Sequence, residues 1–274
     1  MVPVETSAAG RVPAKAACEG IATESLMGLS LARIDRWQLL DHMFASLAES
    51  RGGWLVTANL DFLRRHVREK EMRALYDRAD LRVADGMPLV WACKLQGTPL
   101  PERIAGSSLV WILVERAARE GRSVYLLGGT ERGNAGAHEV FAERYPSLKL
   151  CGRSSPMLAS PPSEEQIDRL RAELARAEPD IVLVAFGSPK QEHVIHALRR
   201  HFPGTWMVGV GISLSFVAGE IKRAPVWMRK SGLEWVHRML QDPKRLAKRY
   251  LIHDLPFVLR LFLVAALRRI RRPR

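Results

Sequence analysis

Apolar positions along this chain alternate between two periods, and the alternation predicts most of its elements. Ile181–Ala185 is an unbroken apolar run, which reads as a strand covered on both faces. Trp54–Ala58, Leu81–Ala84, Ser123–Leu127 and Trp206–Val210 have the same character, and Gly28–Ile34 and Leu148–Cys151 are further strand candidates. Between these runs helical spacing takes over. Trp37, Leu40, Phe44 and Leu47 share one face of a helix that Asp35 can cap and that runs to about Ala48. Further helices are predicted over about Asp61–Tyr76, Met87–Gln96, from Ser107 as cap to Arg119, and from the Gly128-Gly129-Thr130 turn to about Tyr145. Another reaches Ala177 from Ser163-Glu164-Glu165-Gln166, which has capping-box spacing.

Strands that alternate with helices predict an α/β fold: a Rossmann-like, mostly parallel sheet with helices on both faces. After Gly219 the strand signal stops. Helices alone are predicted there, over about Trp227–Leu240, Pro243–Ile252 and Pro256–Arg271. The expected organisation is therefore a disordered N-terminus over 1–24, an α/β core over 25–221, and a basic all-helical appendage over 222–274.

Charge sharpens that division. The net charge is +13, but residues 222–274 hold 15 Lys+Arg against 3 Asp+Glu, while residues 1–221 hold 27 against 26. A neutral body with a basic end points to a polyanionic surface, either anionic lipid or nucleic acid. Leu255–Leu267 is an apolar run broken only by Arg260, too short to span a bilayer, and it ends in Arg268-Arg269-Ile270-Arg271-Arg272. With Trp227 and Trp235 it suits a helix lying in a membrane interface; a solvated helix packed on the body is the plain alternative. The aliphatic face of Leu259, Phe262, Leu263 and Leu267 favours lipid over nucleic acid. A composition 47% hydrophobic excludes a disordered chain. Cys18, Cys93 and Cys151 are too few for a disulfide framework or a zinc site, and the N-terminus has no apolar core of the signal-peptide kind, so a reducing cytoplasmic setting is expected.

Four polar clusters fall at predicted strand ends: Thr57/Asn59, Asp85, Gly128/Gly129/Thr130 and Gly187–Glu192. Carboxyl ends of parallel strands share one edge of the sheet, where such folds bind ligands. In the last cluster Gly187 permits a tight turn, Ser188 can cap a helix, Pro189 fits its first position, and Lys190, Gln191 and Glu192 decorate its first turn. Asp85, delivered by a short apolar run into an Asp-Gly turn, is either a catalytic base or the cap of the helix near Met87; both readings stand. Gly129 and its neighbours could seat a phosphate on a helix N-terminus, but without GxGxxG spacing or a Walker motif. No His/Cys/Asp/Glu group has metal spacing and there is no Asp-x-Asp. A diphosphate leaving group would then rely on Arg, Lys and backbone N–H groups.

The segments Thr57-Ala58-Asn59, Ala84-Asp85-Gly86, Glu102–Gly106, Phe186–Glu192, Gly209-Val210-Gly211, Gly219 with Arg223-Ala224-Pro225, Gly232–Trp235, Arg238, Asp242–Arg245 and Lys248-Arg249-Tyr250 follow one another in a single order. In this the chain resembles the WecG/TagA/CpsF glycosyltransferases (glycosyltransferase family 26) over about Leu31–Tyr250. The resemblance implies a metal-independent, inverting transfer of a sugar from a UDP-sugar donor. It implies as acceptor an undecaprenyl-diphosphate-linked saccharide at the cytoplasmic membrane face, in exopolysaccharide, capsule or teichoic acid linkage synthesis. It makes Asp85 the base, places Thr57, Asn59 and Gln191 in the pocket, and carries Arg103, Gly106, Gly187, Gly209, Gly211 and Ser215 along as substrate-binding positions. Arg223, Arg238, Arg245 and Arg249 are implied to reach the diphosphates from a C-terminal segment that also contacts the membrane. No cofactor, metal or nucleic acid is expected; homo-oligomerisation is left open. One departure bears on the donor: many members have Asp at the position of Ser215. That turns the expectation toward a glucosyl-type or other donor, with N-acetylmannosamine transfer of the teichoic acid or common-antigen kind as the alternative.

Overall fold

The computed structural model describes residues 20–243, 246 and 248–271, with the side chains of Lys230 and Arg249 left undescribed. Most of the segment expected to be disordered, and Arg245, lie outside these residues. A hairpin comes first: β1 (Thr23–Leu26) pairs antiparallel with β2 (Leu29–Ala32). Its two turn residues, Met27 and Gly28, both have positive φ, the geometry that matches strand twist in a two-residue hairpin. Sequence reading placed a strand over Gly28–Ile34 and missed β1, because Met is an unusual first residue for such a turn.

The elements that follow are α1 (Arg36–Ala48), β3 (Gly53–Ala58), α2 (Leu60–Arg68), α3 (Lys70–Tyr76), β4 (Leu81–Ala84), α4 (Met87–Leu95), α5 (Gly106–Arg119), β5 (Ser123–Gly128), α6 (Glu131–Arg144), β6 (Lys149–Ser154), α7 (Glu164–Ala177), β7 (Ile181–Ala185), α8 (Lys190–Arg199), β8 (Trp206–Gly209) and α9 (Ser213–Val217). The capping boxes at Asp35 and Ser163 form as their spacing predicts. The helix expected over Asp61–Tyr76 is instead two, broken where Glu69 is extended. Arg73 donates to the carbonyls of His66 and Val67, which satisfies groups that the break frees.

Six strands make one all-parallel sheet in the order β4-β3-β8-β7-β5-β6. All five residues of β7 are buried, as their apolar run predicts, and they alternate between two cores. Ile181, Leu183 and Ala185 face α1, α5, α6 and α9. Val182 and Val184 face α2, α3, α4, α7 and α8. The fold is α/β with helices on both faces.

The C-terminal segment is helical: α10 (Val226–Lys230), α11 (Glu234–Gln241), a π-helical stretch over Lys248–Asp254, and α12 (Leu255–Arg271). Gly232 separates α10 from α11; its φ is +75°, and a Cβ there would lie 2.8 Å from the Trp91 ring. Phe257, Leu261 and Ala265 of α12 are buried in the core that holds α4, and Arg268 donates to the Ser25 carbonyl at 3.0 Å. At its other end Asp254 is buried and pairs with Arg64 at 3.3 Å. The opposite face of α12 is bare: Leu259, Leu263 and Ile270 are 66%, 61% and 79% exposed.

Candidate active site

Apolar strands must end somewhere polar, and here their carboxyl ends line up along one edge. Asp85 follows β4, Asn59 follows β3, Gly211 lies just beyond β8, Gly187 beyond β7 and Gly129 beyond β5. From β4 to β5 is four strand positions, about 19 Å at ~4.8 Å per strand. The expected residues therefore form an extended trough with Asp85 at one end and Gly129 at the other.

Asp85 does not cap α4. Gly86 occupies the N-cap there, with no side-chain cap bond. Its carboxylate instead accepts from the Gly106 N–H at 3.3 Å, at the N-terminus of α5. Ser107, expected to cap that helix, lies within its first turn, because α5 starts two residues earlier, after Ala105. Burial pushes the Asp85 carboxyl above its ordinary range, against Arg103 and the Gly106 N–H; Glu234 adds to the rise and Arg238 opposes it. A half-buried carboxylate with a raised pKa at a sheet edge has the character of a general base. Thr57 stands beside it: its hydroxyl donates to the Gly209 carbonyl at 3.3 Å, and a Cβ on Gly106 would approach Thr57 Oγ1 to 3.1 Å. Gly106 is therefore needed for close packing of α5 against β3 and β4.

Two expected pocket residues have structural duties. Asn59 caps α2 through the Phe62 N–H at 3.0 Å. Gln191 is buried; its carbonyl oxygen accepts from the Gly211 N–H at 3.1 Å and its amide donates to Glu192 at 2.9 Å. A Cβ on Gly209 would meet that amide at 2.8 Å, so Gly209 makes room for Gln191 rather than for a ligand alone. Ser188 was expected to cap α8. The helix instead begins after Pro189, and the Ser188 hydroxyl lies 3.3 Å from that of Tyr76. Gly187 has φ +73° with nothing near a prospective Cβ, so conformation is what it supplies. Lys190 donates to the Leu158 carbonyl at 2.7 Å, and Glu192 is 1% exposed with Oε2 unpartnered. Burial pushes the Glu192 carboxyl up.

At the far end, Thr130 caps α6 by accepting from the Gly133 N–H at 2.9 Å, and its hydroxyl donates to Glu220 at 2.8 Å. Ser215 is buried here, for a Cβ on Gly133 would meet both Ser215 Oγ and Glu220 Oε2. Glu220 thus brings a carboxylate to the surroundings of Ser215. Asn134, fully buried, donates to the carbonyls of Leu126, Gly128 and Ser154 and braces the Gly128-Gly129 turn.

The C-terminal segment closes on Asp85 from the other side. Glu234 of α11 pairs with Arg103 and with Arg223, each at 3.4 Å. Arg223 also donates to the Ser107 carbonyl at 3.3 Å and to Ser108 Oγ at 3.0 Å. Burial draws the Arg223 guanidinium below its ordinary value, and Glu234 resists. Arg238 is close enough to act on Asp85 electrostatically. Arg245 and the Arg249 side chain are outside the described residues. Glu234, which sequence reading passed over, is the carboxylate that holds two arginines in place; it sits inside the matched Gly232–Trp235 segment, the signal that could have found it. Next to this cluster is a cavity of about 360 Å³, lined among others by Arg36, Arg103, Leu109, Ile112, Val226 and Arg229. Glu102 grips Arg36 at its rim, accepting from both guanidinium and backbone N–H.

The family model described as Glycosyl transferase WecG/TagA/CpsF family matches residues 24–272. An N-acetylglucosaminyldiphosphoundecaprenol N-acetyl-beta-D-mannosaminyltransferase of Bacillus spizizenii is 32% identical over 199 residues, 73% of this chain and 75% of the relative. A protein of the same name from Bacillus subtilis is 26% identical over 224 residues, 81% of this chain and 85% of the relative.

Proposed function

This chain belongs to the WecG/TagA/CpsF family of glycosyl transferases, and from that premise we propose that it transfers N-acetylmannosamine from its UDP-sugar to a lipid-diphosphate-linked N-acetylglucosamine. Ser215 had turned the expectation toward a glucosyl-type donor. Two relatives named as N-acetylmannosaminyltransferases, and the Glu220 carboxylate beside Ser215, favour the alternative. The single observation that carries the reading is Asp85: half-buried, raised in pKa, held by the Gly106 N–H and ringed by Arg103, Arg238 and Glu234.

The donor lies along the trough, with its nucleotide toward the glycine turns after β5, β7 and β8. Asp85 takes the proton from the acceptor hydroxyl while that oxygen bonds to the anomeric carbon. The bond to the UDP oxygen breaks on the opposite face, so configuration inverts and UDP leaves with the electron pair. Arg103, Arg223 and Arg238 stabilise the charge that grows on the leaving diphosphate. These cations supply what a metal would otherwise provide, so activity is expected to persist in excess EDTA. The exposed Leu259, Leu263 and Ile270 and the arginines of α12 rest on an anionic membrane surface, with the helix in the interface and its other face on the body. By length and composition alone the helix through Tyr250–Arg271 could cross a membrane; the burial of Phe257, Leu261 and Ala265 favours a peripheral, cytoplasmic-face placement instead.

A donor panel tests the proposal. UDP-N-acetylmannosamine, UDP-glucose and UDP-N-acetylglucosamine are each offered with a short-chain lipid-diphosphate N-acetylglucosamine, and products are weighed by mass spectrometry. Product from UDP-N-acetylmannosamine alone is expected; product from UDP-glucose alone restores the expectation set by Ser215.

A further inference from the structure

Two chemistries meet in the cavity beside Asp85. Its lining brings Arg36, Arg103 and Arg229 together with the apolar Leu109, Ile112 and Val226. The geometry points to this cavity as the pocket for the acceptor's diphosphate and the first units of its hydrocarbon chain, separate from the trough that takes the nucleotide. The inference rests on the reading of the chain as a transferase to a lipid-diphosphate acceptor.

The cations are unevenly satisfied. Glu102 occupies Arg36. Arg103 must share Glu234 with Arg223. Arg229 has a buried Nε with no hydrogen-bond partner, and its charge helps to depress Arg223. Arg103 and Arg223 therefore share one carboxylate, Glu234, while Arg229 acts on Arg223 and keeps a donor open to a phosphate. A buried N–H without an acceptor is destabilising, and an arriving phosphate supplies the missing acceptor. A sugar nucleotide, polar along its length, has no use for Leu109, Ile112 and Val226. A prenyl diphosphate uses both walls.

Position agrees with chemistry. Met87 and Ala105 line the cavity as well; they lie two residues beyond Asp85 and one before Gly106, whose N–H holds Asp85. One sugar ring separates the attacking hydroxyl of the acceptor from its diphosphate. An acceptor with its hydroxyl on Asp85 can thus place its diphosphate beside Arg229 and send its chain out past Val226, which is exposed, toward the bare face of the appendage.

Calorimetric titration of the full chain with farnesyl diphosphate, in saturating UDP, tests this. Binding is expected despite the UDP. Arg229→Ala removes the free donor, and Val226→Trp narrows the mouth from an exposed position without disturbing the core. Each should weaken farnesyl diphosphate by about tenfold or more while the affinity for UDP stays as in the wild type. Inorganic diphosphate should bind at least about tenfold more weakly than farnesyl diphosphate, because it leaves the apolar wall unused. Equal affinity in wild type and both variants, or equal affinity for the two diphosphates, overturns the assignment. So does preferential, Arg229-dependent binding of dihexanoyl phosphatidylglycerol, which would make the pocket a membrane-lipid site. No sugar transfer is read, so a wrong donor in the panel above leaves this test intact.

Discussion

The sheet edge and the C-terminal segment reach the same site by opposite means. The edge is made by strands buried on both sides, and its polar groups are fixed by the fold: Asp85 by Gly106, Gln191 by Gly211, Thr130 by Gly133. The C-terminal segment is basic and leaves large apolar side chains in the open, yet it sends Glu234 and Arg238 inward to the same aspartate, with Arg223 paired to Glu234. On the proposed reading the edge supplies a base held by the fold and a trough for the donor, and the segment supplies cations and an exposed apolar face for the lipid substrate. Neither makes a site alone, and this predicts that damage to the two will look different.

Loss of the base should cost most. Asp85→Asn keeps the shape, and turnover is expected to fall by roughly 10²–10⁴ with UDP affinity retained in calorimetry. Next comes Arg223→Ala, which removes a cation aimed at the leaving group and unties Ser107, Ser108 and Glu234 together; a fall of roughly 10²–10³ in kcat/KM is expected in a transfer assay. Turnover within a factor of a few of wild type would mean that the segment is only a membrane anchor. Smaller and of another kind is the effect of Leu259→Glu with Leu263→Glu. Each exposed Leu withdrawn from an interface forfeits about 1.5–3 kcal/mol. Co-sedimentation with phosphatidylglycerol vesicles should collapse, while turnover of a water-soluble acceptor stays. Point changes are preferable to removal of α12, because truncation also strips Phe257, Leu261 and Ala265 from the core.

The smallest effect concerns the rigid side. Glu192 is buried with its carboxyl raised, so the unfolded chain ionises first as pH rises. Stability is therefore lost from this group between the unfolded pKa, about 4.3, and the higher folded one. Glu192→Gln should remove that loss. Thermal melts of wild type and variant should lie closest below pH about 4 and diverge in favour of the variant as pH rises; parallel melts at all pH values would contradict it.

Much of this was legible from residue order. The apolar runs marked five of the six sheet strands, with Leu148–Cys151 a candidate for the sixth, and Asp85, Thr57 and the glycine turns stood at strand ends, where a parallel sheet collects its polar groups. What sequence could not give was partnership. Whether Asp85 capped α4 or faced the site depended on where α5 begins, 21 residues away. Gln191 was expected as a pocket contact, and residue order does not reveal that Gly211 and Glu192 also engage its amide. Glu234 went unremarked because a carboxylate in a basic stretch reads as surface, until the fold sets two arginines on it. β1 was missed for a local reason, the Met27-Gly28 turn.

The account turns on Asp85 as a base tuned jointly by the body and the C-terminal segment, and the pH profile of kcat/KM for the acceptor tests it most directly. An acid limb is expected above pH about 4, the ordinary range of an aspartate. Arg103→Ala should move the limb to higher pH and Glu234→Gln to lower pH, because the arginine holds the carboxyl down and the glutamate pushes it up. A limb that stays in place in both variants, or that is absent from the wild type, would contradict the account.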